Sequence, residues 1–129
     1  MNPVLVDTSV WIDHFRQGNP HLVQLLQQDM ALMHPLVLGE LACGTPPARA
    51  RTLADLQRLK PARQASMREV MALIEREQLF GLGCGLVDIT LLASALMSSG
   101  ASLWSLDKRL HALAQRFGIA YRPTGQQGQ

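Results

Sequence analysis

The chain has 129 residues, 47% hydrophobic and 17% charged, which supplies enough apolar material for one compact domain and excludes an intrinsically disordered chain. A formal charge of +2 permits contact with a polyanion without requiring it, and two distant cysteines, Cys43 and Cys84, exclude a disulfide framework or a thiolate zinc site. The longest apolar stretch, Leu86 to Met97, is interrupted by Asp88, Thr90 and Ser94 and is too short to cross about 30 Å of hydrocarbon, while the N-terminus lacks a signal-peptide pattern, so a cytoplasmic protein with no membrane contact is expected.

Pro3 to Val6 reads as a short buried strand that ends at Asp7 and passes through Thr8 and Ser9 into a helix carrying Trp11 and Phe15. Asn19-Pro20 is an N-cap followed by a first-turn proline, and Leu22, Leu25 and Leu26 mark one face of a second helix. Ala31 to Met33 is a second short strand. Pro35 opens a third helix that Gly44 can close, with Glu40 flanked by Val37 and Leu41 on its surface. After the turn Thr45-Pro46-Pro47, the spacing of Leu53, Leu56 and Leu59 predicts a helix that breaks at Pro61. Met67, Val70, Met71 and Ile74 predict another reaching about Gln78, and the two are expected to form an amphipathic hairpin.

Gly81, Gly83 and Gly85 form a loop that delivers Asp88 to the start of a nearly all-apolar helix, which should be buried and which runs to about Ser99. The loop follows a helix and lacks a P-loop lysine, so it is no nucleotide cradle. Ser102 to Leu106 is a strand ending at Asp107. Leu110, Leu113, Ala114 and Phe117 then give an amphipathic helix, and Ile119 to Tyr121 a last strand. Residues 1–122 form the expected single domain, and residues 123–129, rich in Gly and Gln, an expected flexible tail. Short apolar strands alternating with helices predict an α/β fold in which a mainly parallel sheet is covered on both faces.

Asp7, Glu40, Asp88 and Asp107 each stand among aliphatic residues, where an ionised carboxylate is costly unless it is paired. Helix capping accounts for Asp7, Asp88 and Asp107 one at a time but not for a mid-helix Glu40. In open parallel sheets ligands collect outside the carboxyl ends of the strands, so convergence of the four is natural. A cluster of hard oxygen donors suits Mg²⁺ or Mn²⁺, and phosphodiester hydrolysis is the obvious use. His14, His21, His34 and His111 are scattered, and no nucleophile grouping with Ser or Cys is visible. Lys108, Arg109 and Arg116 are the candidate phosphate contacts. The arginines from Arg49 to Arg76 alternate with acids as on a solvated surface, and Asp13 and Asp55 fall outside the candidate site.

The string Val4-Leu5-Val6-Asp7-Thr8-Ser9-Val10-Trp11-Ile12, the segment Gly39-Glu40-Leu41, the helix start Gly85-Leu86-Val87-Asp88 and the string Leu103-Trp104-Ser105-Leu106-Asp107 together resemble the PIN-domain ribonucleases, specifically the VapC-type toxins of toxin-antitoxin pairs. That resemblance implies a three-layer α/β/α sandwich and a Mg²⁺- or Mn²⁺-dependent endoribonuclease. It further implies a homodimer acting on structured RNA such as tRNA or rRNA, neutralised by a VapB-like antitoxin that lies across the acidic site. Matched by position, Asp7, Glu40, Asp88 and Asp107 are the catalytic and metal-holding acids, with Asp7 and Asp88 the direct ligands and Ser9 and Ser105 the supporting hydroxyls. Where the family often carries a further acid, two positions after the last motif Asp, this chain has Arg109, which leaves open one metal ion or two. The competing readings are a PIN-like interaction module that has lost cleavage, against which all four acids argue, and a phosphotransfer domain with Asp7 as nucleophile. The latter commonly needs an Asp or Lys at fixed positions, whereas Ser9 stands two residues after Asp7.

Overall fold

The computed structural model describes residues 2–123. Its strands are β1 (Val4–Val6), β2 (Ala31–Met33), β3 (Lys60–Pro61) and β4 (Ser102–Trp104), joined in one all-parallel sheet of order β3-β2-β1-β4. β1 and β2 are buried at every position, as strands covered on both faces must be. The helices are α1 (Thr8–Gln17), α2 (Pro20–Gln27), α3 (Pro35–Ala42), α4 (Arg49–Leu56), α5 (Met67–Glu77), α6 (Leu86–Met97) and α7 (Lys108–Arg116). One group packs as α1 on α3 and α3 on α4; the other packs as α5 and α7 on α6, which itself lies against β1 and β4. The architecture is a three-layer α/β/α sandwich.

α6 is the central support. Every residue from Ile89 to Ala95 is buried, as its apolar composition predicts, although it begins two residues earlier than expected, so that Asp88 sits inside its first turn. Its few polar side chains bond to backbone: the Thr90 hydroxyl donates to the Leu86 carbonyl at 2.7 Å, and the Ser94 and Ser98 hydroxyls accept the Ala65 and Arg63 N–H groups. Those last two bonds tie the β3–α5 connection down onto α6.

Three elements depart from the sequence pattern. At Pro61, where a helix break is predicted, Lys60 and Pro61 instead pair with Leu32 and Met33 as an edge strand. Proline lacks an N–H and is tolerated at an edge, and the ladder resumes when Ala62 N–H donates to the Met33 carbonyl at 2.9 Å. α4 consequently ends at Leu56, leaving Leu59 in a turn, and because β3 returns the chain to the sheet the expected hairpin of α4 on α5 does not form; α4 packs on α3 and α5 on α6. Ile119 to Tyr121 makes only a single parallel bridge, Leu103 to Ala120, since Pro123 has no N–H with which to continue a ladder.

α5 opens with a capping box between Ser66 and Glu69. Its core side is carried by Val70 and Leu73, while Met67 and Met71, read from the pattern as core, are exposed. The remainder of the predicted tail, residues 124–129, lies outside the described residues.

Candidate active site

From β1 the chain runs outward to β2 and β3, then returns to lay β4 on the opposite side of β1. The sheet order therefore reverses between β1 and β4, and at such a switch point the carboxyl ends of the strands open a crevice. Asp7 follows β1 directly, and Ser105 follows β4. The Asp7 N–H donates to the Trp104 carbonyl at 2.9 Å, fixing the two ends against each other.

Asp7 is buried, and its Oδ2 accepts two hydroxyl protons, from Ser9 at 2.7 Å and from Ser105 at 2.8 Å. The direction of those protons is set by the backbone. Ser9 Oγ accepts the Leu106 N–H and Ser105 Oγ accepts the Asp107 N–H, each at 3.0 Å, so each hydroxyl has its one proton to give to Asp7. Among the described residues Asp7 Oδ1 has no hydrogen-bond partner. Although Asp7 stands at the N-cap position of α1, its side chain makes no cap bond.

Asp88, half-buried in the first turn of α6, has its carboxyl held above the ordinary range by burial first and then by the charge of Asp7. Asp107 and Glu40 add smaller upward pushes, and a backbone hydrogen bond at Gly85 opposes them. Asp7, Asp107 and Glu40 thus each lie within electrostatic reach of Asp88.

Their individual settings differ from the pattern's simple expectation. Asp107 is exposed and does cap its helix, Oδ1 accepting the Arg109 and Leu110 N–H groups at 2.9 and 3.1 Å. Glu40 is exposed as well, not drawn into an apolar interior, and is bound to the rim by a hydrogen bond from Thr8 Oγ1. Among the described residues no three His, Cys, Asp or Glu side chains are arranged to hold a metal ion, so the four acids form an open set and not a closed cage. Mutual repulsion between carboxylates without a counter-charge favours such spreading. The donor chemistry nevertheless fits a hard divalent cation: Asp7 has an oxygen to offer, Asp88 has no ion-pair partner among the described residues, and Mg²⁺ characteristically retains several waters between itself and the protein.

Of the predicted phosphate contacts, two are already engaged. Arg116 donates to the Glu77 carbonyl at 2.6 Å and docks α7 on the end of α5. Arg109 lies across Gly83, its Nη1 3.5 Å from the Gly83 carbonyl. Lys108 has no carboxylate partner among the described residues. Sequence reasoning missed Thr8, which reads as an ordinary cap residue until α3 is folded back beside it.

A parallel α/β/α sandwich with carboxylates gathered at the β1–β4 switch point is matched by the family model for the PIN domain over residues 4–116. The chain belongs to the PIN-domain family, in its VapC-type ribonuclease branch. Ribonuclease VapC32 of Mycobacterium tuberculosis, from strain H37Rv and from strain CDC 1551, is in each case 44% identical to it over 117 residues, spanning 91% of this chain and 94% of the relative. Among the described residues no helix is long and apolar enough to cross a membrane.

Proposed function

We propose that this protein is a divalent-cation-dependent endoribonuclease, the toxin of a VapBC-like pair, with Asp7, Glu40, Asp88 and Asp107 as its active-site acids. The observation that carries this is the convergence of two serine hydroxyls on one oxygen of buried Asp7, beside an Asp88 charged against the field of three other carboxylates. Those two hydrogen bonds fix the Asp7 carboxylate in direction, as a metal ligand must be. Asp7 and Asp88 would hold Mg²⁺ or Mn²⁺ directly, with Glu40 and Asp107 reaching it through water.

When bound, the cation supplies Lewis-acid polarisation of the phosphodiester and charge neutralisation as phosphorus is attacked. Glu40, exposed and hydrogen-bonded by Thr8, would accept the proton of the attacking water. Asp107 remains fixed at the head of α7 by its cap bonds, keeping its other oxygen directed by the helix.

Family membership supports an RNA substrate and a VapB-like antitoxin; the reading further includes a homodimer, tRNA or rRNA as target and a cytoplasmic location. A groove of about 380 Å³ lined by Ile12, Phe15, Arg16 and Leu41 includes Glu40 in its wall, so an antitoxin segment seated there would touch that acid. The test is cleavage of total RNA by wild type in Mg²⁺, by wild type in EDTA and by Asp88→Asn. Cutting is expected in the first alone; equal cutting in all three would overturn the assignment.

A further inference from the structure

A second cavity, of about 220 Å³, opens beside the acidic rim between the end of β4, the first turns of α7 and the segment that bridges to Leu103. Ser105 forms part of its wall, and the Ser105 hydroxyl donates to Asp7, so this residue links the cavity to the acidic rim. Lys108 and His111, three residues apart on α7, face it together with Arg122 and the ring of Tyr121. None of the three basic groups is paired with a carboxylate among the described residues. Burial, reinforced by the nearby Arg122, holds His111 below its ordinary range, so Lys108 and Arg122 carry the positive charge while a neutral imidazole offers one donor and one acceptor. Tyr121 is held by buried Trp104, the ring centroids 5.2 Å apart, and presents a fixed aromatic wall.

These features match the parts of one nucleotide: a phosphate for the two cations, a base or ribose for the ring and the imidazole. The volume is below the roughly 300 Å³ at which pockets for whole small molecules begin, which suits a single unit of a polymer that continues beyond the cavity. On the other side of Lys108 the guanidinium groups of Arg109 and Arg116 are bonded to Gly83 and Glu77, so the uncommitted charge lies on this side.

We propose that this cavity is a subsite for one ribonucleotide of the RNA strand next to the cleaved bond, with Lys108 and Arg122 on its phosphate and Tyr121 against its base. The proposal rests on the ribonuclease assignment for its ligand, and its test is separated from cleavage by working in EDTA.

Binding of a short fluorescein-labelled single-stranded RNA to the metal-free protein is measured by anisotropy across a salt series. Arg122→Ala should weaken binding and lower the magnitude of the slope of log K against log salt by about 0.7, the loss of one phosphate contact on a single strand. Tyr121→Ala should weaken it about tenfold, as loss of one stacked base does, with the slope unchanged. Tyr121→Phe should bind as wild type. Arg122 is exposed, so its replacement tests the site without endangering the fold. Wild-type affinity and slope in both alanine variants would overturn the subsite, as would displacement of the RNA by polyglutamate with equal potency from wild type and Tyr121→Ala. RNA binding that depends on these residues in a protein that never cuts in Mg²⁺ would sink the enzyme assignment and leave the subsite standing. Cutting with variant-insensitive binding would do the reverse.

Discussion

Ser9 and Ser105 each accept a backbone N–H and each give their one proton to the same oxygen of Asp7. Removing either hydroxyl leaves Asp7 in place but less constrained, and loss of such an orienting partner typically costs about 10- to 100-fold in metal affinity or activity. Ser105→Ala is therefore expected to lower RNA cleavage by about that factor with a far-UV spectrum like wild type. Asp88 gives a second expectation. Its native pKa lies above its ordinary value of 3.8. As pH rises past that value the unfolded chain releases its proton before the native one does, so stability falls across the window up to the native pKa and stays lowered above it. Asp88→Asn should then melt higher than wild type at neutral pH in EDTA, with the difference vanishing in acid; an equal or lower Tm at neutral pH would contradict the buried-charge account. Asp7 and Asp88 stood out in the sequence as candidates because a lone acid at the edge of an apolar run has few structural uses. Glu40 stood out as a further candidate, yet its exposed setting was not legible, since aliphatic neighbours along a helix can turn to other faces.

Elements differ in how much of their geometry is local. α6 announced its burial through composition, and α2 its start through Asn19 and Pro20, whose cap bond from Leu22 N–H is present at 3.1 Å. β3 did not, because a two-residue strand owes its existence to the neighbouring Leu32 and Met33 and carries no period of its own. α3 starts at Pro35, as its proline predicts, but the residue that caps it was not legible. Its N-cap is His34, whose Nδ1 accepts the Leu36 N–H at 3.0 Å, leaving a buried Nε2 that has no partner among the described residues. Burial lowers the His34 pKa below its ordinary 6.5. The unfolded chain therefore takes up a proton first as pH falls through that value, and native stability declines below it. His34→Asn keeps a capping side chain but cannot titrate. Urea midpoints measured through this range should fall with acid for wild type and stay flatter for His34→Asn; parallel curves would show that His34 is not the acid-sensitive group.

For the whole molecule, the sheet order places the first and last strands side by side, so residues about a hundred positions apart form one rim. A cation held by that rim is bound by the native state alone and should raise stability by about 2.7 kcal/mol at a concentration one hundred times its Kd. Mn²⁺ is accordingly expected to raise the Tm of wild type and to leave Asp7→Asn nearly unmoved; equal shifts in both would place the ion elsewhere. Fold class and the identity of the rim acids could be read from the chain because both depend on periodicity and strand ends. Which cations remain available could not, since Arg109 is engaged by the Gly83 carbonyl in a distant loop and Arg116 by the Glu77 carbonyl at the end of α5.

The backbone at Gly83, crossed by Arg109, constrains how this chain can change over time. Gly83 has a φ of +85°, and a Cβ built there would lie 2.9 Å from the Arg109 Cδ and Nε. The exposed Arg109 side chain can swing clear of such a newcomer, whereas the left-handed backbone at position 83 cannot be relieved so simply, so glycine is expected to persist at position 83 whatever residue comes to stand at position 109.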